Sequence, residues 1–432
     1  MSTLALGLGG IGLMLVLLFL RQPVWLALAV IGLGGNWILN GLSASKFAAG
    51  TTLFDVGSNY DLSVIPLFVL MGEIATGSRM SAELFNAARI VSSGLRGGLA
   101  VASIAASGAF GAICGSSVAT AASMTRIAMP EMSRIGYEPS YSAAAVAAGG
   151  SLGILIPPSI ILVIYGSITE TSVAHLFAAS MIPGIVLLAL YVVVALWVAR
   201  SSSAAPIEEA ASLRERLKAL RDPWQFLVLF LLTIGGIYAG LFSPTEAASV
   251  GAFGAILLGF LKGTLDRDGL VNAIKASVLV SCALFMIIAG ATLFSKFIVQ
   301  TRLPDTLLAL AQDSNLDAWM VMTLIVAIYI VLGCFLEGLG MILITVPVFL
   351  PVVTGFGFDP IWFGVLVAVL VELGLITPPV GMNLFIIRAQ VEGLEMRQIY
   401  RGILPFLVAP VVLILLMFAM PSLALWLPHV LY

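Results

Sequence analysis

The stretch PEMSRIGYEPSYSAAAVAAGGSLGILIPP at residues 130–158 decides the fold, because a related stretch recurs 221 residues later. The second copy reads PVVTGFGFDPIWFGVLVAVLVELGLITPP at residues 351–379. Six prolines and glycines fall in register between the copies, and one aromatic and one acidic position also match. Both copies end in a Pro-Pro pair inside an apolar run, where proline removes a backbone donor and breaks a helix. We therefore predict two halves built on one pattern, each with a helix interrupted at its Pro-Pro pair.

The composition predicts a membrane protein. The 432 residues are 60% hydrophobic and 10% charged, with a mean hydropathy of +1.12, whereas soluble domains carry about 25% charged residues. Apolar runs near the ~20 residues that span a bilayer recur along the chain. Their length and their richness in Leu, Ala and Gly favour helices over the alternating strands of a membrane barrel. The sequence has no basic patch, which argues against nucleic acid as a partner.

The predicted fold class is an all-α polytopic membrane protein with two inverted repeats, each containing a helical hairpin and a Pro-Pro-broken helix. The first repeat covers residues 61–199, with its hairpin at 97–125 and its broken helix at 141–168. The second repeat covers residues 278–428, with its hairpin at 319–353 and its broken helix at 361–388. N-terminal helices at 1–60 precede the first repeat, and a linker at 200–222 and connecting helices at 223–277 join the two repeats. The linker is polar and amphipathic, which predicts a solvated or interfacial helix rather than a regulatory site.

Each hairpin is predicted from breaks inside a long apolar stretch. The first stretch is interrupted at Gly108, Gly111 and Gly115, and the second at Gly333 and at 337–340. Such stretches suit two half-helices that enter and leave on one side of the membrane, which requires burial by protein or access to water at that depth. Two full crossings are the alternative for either hairpin.

The distribution of Lys and Arg predicts the orientation. With the linker 200–222 in the cytoplasm and both hairpins re-entrant, every Lys and Arg falls on the cytoplasmic side except Lys46, Lys296 and Arg302. In this arrangement the segment 61–76 runs inward. Its counterpart at 278–299 runs outward, so the two repeats are predicted to be inverted.

The first candidate site joins the hairpin tip GSSVAT at 115–120 to the break SLGILIPP at 151–158. A proline frees a backbone carbonyl one turn earlier. Such carbonyls, with serine and threonine hydroxyls, form an oxygen-rich site that suits a hard cation such as sodium. Helix amino-terminal ends at the same breaks would favour an anionic substrate group. The alternative is that these small residues only allow close helix packing, and the recurrence of the pattern argues against it.

The second candidate site joins the tip GCFLEGLGM at 333–341 to the break ELGLITPP at 372–379. Glu337 aligns with Ser116 of the first copy, and an acid deep in an apolar run is a functional hypothesis because it is costly there. Glu337 could balance the charge of a cation, remain a neutral hydrogen-bonded acid or carry a proton, and a structural role is the alternative. A structural role is favoured for two further acids, Glu372 and Glu246.

At these residues the chain resembles the large membrane subunit of the tripartite ATP-independent periplasmic (TRAP) transporters, over nearly its whole length. The most specific motifs are GAICGSSVATAASM (111–124), GSLGILIPPSIILVIYG (150–166), LGCFLEGLGMILITVPVFLPV (332–352) and LGLITPPVGMNLFII (373–387). Their number and order make a chance match improbable. More distantly, the chain is similar to single-component elevator transporters of the ion transporter superfamily.

The resemblance implies an elevator-type architecture. The helices at 1–60 and 223–277 would belong to a scaffold, and a mobile transport domain would hold both hairpins and both broken helices. The implied activity is sodium-coupled uptake of an organic acid across a bacterial inner membrane. Two partners are implied: a soluble periplasmic binding protein that delivers the substrate, and a small four-helix membrane subunit. We expect the small subunit to be a separate chain, because this sequence begins directly with the large-subunit pattern.

By motif match, the resemblance also implies which residues bind the ions and the substrate. Sodium ligands would be Ser116, Ser117, Gly153, Ile156 and Pro158 in the first half, and Gly338, Thr377 and Pro379 in the second. The substrate would lie between the hairpin tips, near Thr120, Glu337 and Asn383. Na⁺ is the implied coupling ion. Four-carbon dicarboxylates, sialic acids, keto acids and sulfonates are all compatible substrates.

Two other functions are considered. A stand-alone cation-coupled organic-anion symporter of the same superfamily would keep the architecture without the partners. An intramembrane enzyme using Glu337 or Ser117 would need a second catalytic group, and no histidine lies in the segment of Ser117 to activate it. The sequence contains no phosphate-binding Gly-rich loop followed by Lys-Ser/Thr, which argues against an ATP-driven pump. The chain is therefore predicted to be a transporter and not an enzyme.

Overall fold

The computed structural model describes residues 3–201 and 204–432, and the secondary structure of these residues is entirely helical. The first half contains α1 (Thr3–Phe19), α2 (Val24–Asn40), α3 (Leu42–Ser58), α4 (Val64–Gly77), α5 (Met80–Ser92), α6 (Gly98–Cys114), α7 (Ser117–Ile135), α8 (Pro139–Ser151), α9 (Ile160–Thr169) and α10 (Val173–Ser201). The second half contains α11 (Leu213–Ala219), α12 (Trp224–Phe230), α13 (Gly236–Tyr238), α14 (Pro244–Leu261), α15 (Arg267–Gln300), α16 (Leu303–Asp313), α17 (Ala318–Gly333), α18 (Gly338–Gly355), α19 (Pro360–Ile376), α20 (Met382–Gln390), α21 (Met396–Ile403), α22 (Val408–Ala419) and α23 (Ser422–Leu431).

The helices repeat with the same offset as the Pro-Pro pairs. Helices α17 to α20 each begin within one residue of the position that an offset of 221 from α6 to α9 gives. Both halves therefore contain a hairpin, α6–α7 or α17–α18, followed by a broken helix, α8–α9 or α19–α20. The same offset relates α1 to α12 and α2 to α14. The predicted all-α fold, with a hairpin and a broken helix in each repeat, is confirmed.

The two repeats pack against each other reciprocally. Helix α2 packs against α15, and its counterpart α14 packs against α4. In the same way α7 contacts α20, and its counterpart α18 contacts α9. Glycines bring α2 and α15 together: an ideal Cβ on Gly32 would lie 2.5 Å from the Leu293 carbonyl carbon, and one on Gly290 would lie 2.6 Å from the Trp25 carbonyl oxygen. Small residues of this kind let membrane helices approach closely.

The helices are long and apolar enough for a multi-pass membrane protein. Within the described residues, five helical segments could each cross a bilayer by length and composition, and the number rises to seven if each of two bent pairs forms one span. The bent pairs are α3 with the 61–77 segment and α11 with α12–α13. Large apolar side chains such as Phe19, Phe47, Phe54 and Leu279 are more than 70% exposed, which suits contact with lipid.

The structure also departs from several sequence-based expectations. Gly108 and Gly111 were expected to break the first hairpin, but both lie inside the continuous helix α6 and only Gly115 ends it. They serve close packing instead. The second hairpin was expected to be broken through 337–340, but α18 already begins at Gly338. The last apolar stretch of the second repeat is divided into two helices, because α22 ends at Ala419 before Pro421 and α23 begins at Ser422.

Candidate functional site

The first broken helix provides a stretch of irregular backbone inside the protein. Helix α8 ends at Ser151 and continues as a 3-10 turn over Leu152–Ile154. The chain then passes through Pro157 and Pro158, and Ser159 caps the start of α9 by accepting a hydrogen bond from the Leu162 amide. The break is buried. Its carbonyl groups are therefore free of the regular helical pattern in a place that lipid does not reach.

The tip of the first hairpin lies directly against this break. Gly115 adopts the left-handed conformation with φ of 64° and ends α6. Its carbonyl oxygen accepts a hydrogen bond of 3.4 Å from the Ile160 amide at the start of α9. The next carbonyl, that of Ser116, accepts from both the amide and the hydroxyl of Thr120, at 3.0 and 2.8 Å. The tip and the break are thus tied together by backbone groups.

Several of the residues expected to bind sodium meet at this junction. An ideal Cβ on Gly153 would lie 3.1 Å from the Ser116 carbonyl oxygen and 3.0 Å from the Thr120 hydroxyl oxygen. A Cβ on Gly115 would lie 2.8 Å from the Pro158 carbonyl oxygen. Main-chain and hydroxyl oxygens from both elements therefore converge, because glycine leaves the space between them open.

The second half repeats this arrangement. Gly333 at the end of α17 lies against Gly374 of α19, whose Cα is 3.1 Å from the position of a Cβ on Gly333. Thr377 ends α19, and its hydroxyl donates a hydrogen bond of 2.5 Å to the Leu373 carbonyl. The carbonyl of Pro379 accepts a hydrogen bond from the Tyr400 hydroxyl. The Pro157–Pro158 and Pro378–Pro379 peptide bonds are both cis.

The two hairpin tips meet at one cavity of about 150 Å³. The first tip contributes residues 115–118, and the second contributes Glu337, Gly338 and Leu339. Val280 and Leu284 of α15 form part of the wall. Helices α7 and α18 both begin at this cavity, at Ser117 and Gly338, so the positive ends of two helix dipoles converge on it. Of the three residues expected near the substrate, Glu337 lines this cavity.

The other two residues expected near the substrate, Thr120 and Asn383, do not line the cavity. Thr120 is fully buried and its hydroxyl is bonded to the Ser116 carbonyl, so it belongs to the junction of tip and break. Asn383 is fully buried in α20, and neither of its amide atoms has a hydrogen-bond partner in the part of the chain that the structure describes. Ile156 packs against Gly184 of α10. The expected ligands thus fall into separate groups rather than one cluster.

Glu246 and Glu372, the two acids for which a structural role was favoured, have different surroundings. Glu246 forms a capping box with Ser243 at the start of α14, which is a structural role as predicted. Glu372 is fully buried in α19, and neither carboxyl oxygen has a partner with normal hydrogen-bond geometry among the described residues. It occupies the position in the second repeat that Ser151 occupies in the first, where the Ser151 hydroxyl lies 3.2 Å from the Tyr191 hydroxyl. The recurring register could have drawn attention to Glu372.

The oxygen atoms at these junctions define what the site can bind. The described residues contain no group of three or more His, Cys, Asp or Glu side chains that could hold a metal ion. Carbonyl and hydroxyl oxygens, which are present at both junctions, suit hard cations instead. The donor set therefore fits a cation such as sodium better than a transition metal.

The repeats and their paired junctions define a membrane transporter of the inverted-repeat type. Residues 11–423 match the family described as "Tripartite ATP-independent periplasmic transporter, DctM component". The chain is 36% identical over 378 residues to the C4-dicarboxylate TRAP transporter large permease protein DctM of Pseudomonas aeruginosa, which covers 87% of this chain and 88% of the relative. It is 30% identical over 414 residues to the sialic acid TRAP transporter large permease protein SiaM of Vibrio cholerae, with 96% of each chain covered. The chain therefore belongs to the DctM family of large TRAP permeases.

The fold has a counterpart among solved structures. The Alcanivorax borkumensis YdaH transporter superposes with a TM-score of 0.57 at 16% identity, covering 86% of this chain and 89% of that one. This likeness concerns the fold alone. The family membership confirms that the chain is a transporter permease and not an enzyme. It is the large component of a tripartite system, so a small membrane subunit and a periplasmic binding protein are implied as partners.

Proposed function

We propose that this permease takes up an organic acid anion in symport with sodium, after a periplasmic binding protein has delivered the substrate, in a bacterial inner membrane. The small four-helix subunit would complete the complex in the membrane. The observation that carries the proposal is the cavity between the hairpin tips of the two repeats, bordered by Ser116, Ser117 and Glu337. Opposed tips at one cavity allow a substrate to be enclosed from both sides.

Sodium coupling is supported by the two junctions of tip and break. In the first, the carbonyls of Ser116 and Pro158 approach Gly153 and Gly115. In the second, Thr377 follows the last residue of α19 and Pro379 lies in the break beyond it. We propose that each junction binds one sodium ion through these oxygens. The implied ligands are Ser116, Ser117, Gly153, Ile156 and Pro158 in one half and Gly338, Thr377 and Pro379 in the other.

An anionic substrate is supported by the two helices that begin at the cavity. Helices α7 and α18 begin at Ser117 and Gly338, which both line the cavity, and the positive ends of their dipoles favour negative charge there. The relatives named above act on C4-dicarboxylates and on sialic acid. We propose that this chain takes the same broad class, organic acids with at least one carboxylate.

An elevator movement is supported by the contrast between two sets of helices. The pairs α2–α15 and α4–α14 form the outer contacts between the repeats, and glycines bring α2 very close to α15. The hairpins and broken helices pack on one another through α7 with α8, α17 with α19 and α18 with α19, and across the repeats through α7 with α20. We propose that the first set is the scaffold and the second set the moving domain, with Val280 and Leu284 of α15 facing the transported cavity.

The proposal is tested by reconstituting the permease with its cognate small subunit and binding protein in liposomes. The probes are radiolabelled C4-dicarboxylates and sialic acid, with and without an inward sodium gradient. We expect uptake of one probe that requires both the gradient and the binding protein. Equal uptake with potassium in place of sodium would overturn sodium coupling. Full uptake without the binding protein would identify a stand-alone carrier instead.

A further inference from the structure

The linker helix α11 and the turn after it carry two parallel stripes of exposed side chains. Leu213, Leu217 and Leu220 follow the i, i+4, i+7 spacing and are 74%, 58% and 52% exposed. A second stripe repeats this spacing one position further along with the exposed basic residues Arg214, Lys218 and Arg221. All of these side chains except that of Leu220 border one surface depression. Apolar and cationic side chains therefore share one exposed face.

The opposite face of the linker is fixed to the first repeat. The Arg216 guanidinium donates a hydrogen bond of 2.8 Å to the Ser93 carbonyl at the end of α5. The Ser93 hydroxyl accepts a hydrogen bond of 2.9 Å from the Ala211 amide. Ala219 of α11 is buried, with 2% of its surface exposed. These contacts fix the face of α11 that carries Arg216 and Ala219 against the first repeat. The leucines and the basic stripe therefore face away from it.

Two tryptophans place this face at the edge of the membrane. Trp197 near the end of α10 and Trp224 at the start of α12 flank the linker, and they are 63% and 46% exposed. Exposed tryptophans of membrane helices concentrate at the level of the lipid head groups. Helix α11 is inclined at 50° to the α12–α13 segment that follows. It therefore turns away from the direction of α12–α13 beside Trp224, the residue expected at head-group depth.

We propose that this leucine and basic face binds the head groups of anionic phospholipids, with its leucines inserted beside the acyl chains. A helix with apolar residues next to Lys and Arg, lying at head-group depth, has the features of an interfacial helix. Basic residues at such a surface are attracted to anionic lipids. The one acid within α11, Glu215, is engaged in the capping box with Ser212, which leaves the basic stripe uninterrupted.

Lipid is favoured over a protein partner by the shape and level of this face. The leucines lie along an open surface rather than in an enclosed groove, and further exposed leucines follow in the sequence at Leu227 of α12 and at Leu231 directly after it. A bilayer offers an apolar and an anionic layer at adjacent depths, which matches adjacent apolar and basic stripes. Lipid binding to α11 would hold the linker between the repeats at the membrane surface. It would also hold the end of α5 there, because Ser93 is hydrogen-bonded to the linker.

The test measures amide hydrogen exchange of residues 204–222 in the full-length protein. The protein is embedded in nanodiscs of phosphatidylcholine alone or of phosphatidylcholine mixed with phosphatidylglycerol. We expect phosphatidylglycerol to slow exchange in α11, and we expect the R214Q/K218Q/R221Q variant to lose that slowing. The same variant should bind phosphatidylglycerol at this face about a hundredfold more weakly, because the attraction of each basic residue adds to that of its neighbours.

A matched variant removes the same charge elsewhere. R134Q/R267Q/K275Q changes three exposed basic residues outside the linker, and it should keep the lipid-dependent slowing in α11. Equal exchange in the two bilayers, or unchanged slowing in the linker variant, would overturn the proposal. Slowing that requires the small subunit and is independent of phosphatidylglycerol would also overturn it, because it would assign this face to a protein. Leu217→Gln provides a second variant and should weaken the slowing without changing the charge.

Discussion

Gly111 of α6 and Gly153 of the first break lie back to back, with the Gly153 Cα only 2.6 Å from the position that a Cβ on Gly111 would take. Gly333 and Gly374 form the corresponding contact in the second half. Each hairpin thus touches its broken helix through a pair of glycines. The contact brings the main chain of the tip close enough for its oxygens to face the break.

Replacing Gly111 by Ala should separate the first hairpin from its break. The added methyl group would meet the Gly153 main chain, which cannot move aside as a side chain can. We expect a loss of about 1–3 kcal/mol of stability, the usual cost of overpacking, and a loss of sodium-dependent uptake. Thermal unfolding in detergent and uptake in liposomes measure the two effects.

Gly108→Ala in the same helix is the control for this substitution. Its methyl group would meet the end of the Leu188 side chain at 2.7 Å, which can rotate away. We expect a smaller loss of stability and retained uptake. If both variants behaved alike, crowding against the break would not explain the effect at Gly111.

Replacing Gly32 by Ala should weaken the contact between α2 and α15. The methyl group would lie 2.5 Å from the Leu293 carbonyl carbon, so we expect an unfolding free energy lower by about 1–3 kcal/mol. Gly34→Ala is a matched control two residues away, because apart from its own stretch of helix no described atom lies within 4 Å of its Cβ position. The control should be neutral or more stable by up to about 1 kcal/mol, since Ala favours helix over Gly. Equal destabilisation of both variants would contradict the packing described here.

Removing the hydroxyl of Ser117 or Thr377 should weaken sodium dependence more than folding. Ser117 borders the cavity at the start of α7, and Thr377 ends α19 at the second break. Loss of one oxygen ligand worth about 1.4 kcal/mol would raise the sodium concentration for half-maximal uptake about tenfold. Sodium titrations of uptake by S117A and T377A measure this shift.

Thr354→Ala controls for the loss of a threonine hydroxyl in itself. The Thr354 hydroxyl donates to the Leu350 carbonyl four residues earlier, as that of Thr377 does to Leu373, but it lies on an exposed part of α18. We expect normal sodium activation in T354A. Normal sodium activation in both S117A and T377A would count strongly against ion binding at the two junctions.

Glu337→Gln tests the acid at the second hairpin tip. The substitution keeps the size of the side chain and removes the possibility of negative charge at the cavity. We expect a higher sodium requirement and little change in unfolding temperature, because a carboxylate there would help to balance a bound cation. Glu131→Gln at an exposed ion pair with Arg134 is the control and should leave the sodium requirement unchanged. Wild-type sodium activation in E337Q would indicate a neutral acid at this position.

The register of the repeat could be predicted from sequence because proline and glycine carry strong local information. The Pro157–Pro158 and Pro378–Pro379 pairs fixed the offset, and the helix boundaries of the hairpins and broken helices follow it closely. Glu337 was recognised because an acid in an apolar run stands out. These features depend on the residues themselves and their immediate neighbours.

Other features depend on contacts that the sequence does not display. Helices α3, α5 and α16 carry only a weak sequence signal, because each mixes polar and apolar residues and none forms a long apolar run. Gly108 and Gly111 resemble helix breaks in the sequence. In the structure they lie inside the continuous helix α6 and face neighbouring segments. The separation of Thr120 and Asn383 from the cavity follows from how the two repeats pack together. The sequence around each residue does not indicate that packing.

The reciprocal contacts of α2 with α15 and of α4 with α14 have a consequence for biosynthesis. When α2 leaves the ribosome, the helix it will pack against is still to be translated, because α15 ends at Gln300. The amino-terminal half must therefore wait in the bilayer with its glycine surfaces uncovered until the carboxy-terminal half is inserted. Nascent chains of this protein are expected to depend on insertion factors that shield such surfaces, and a truncated first half should be degraded rather than accumulate.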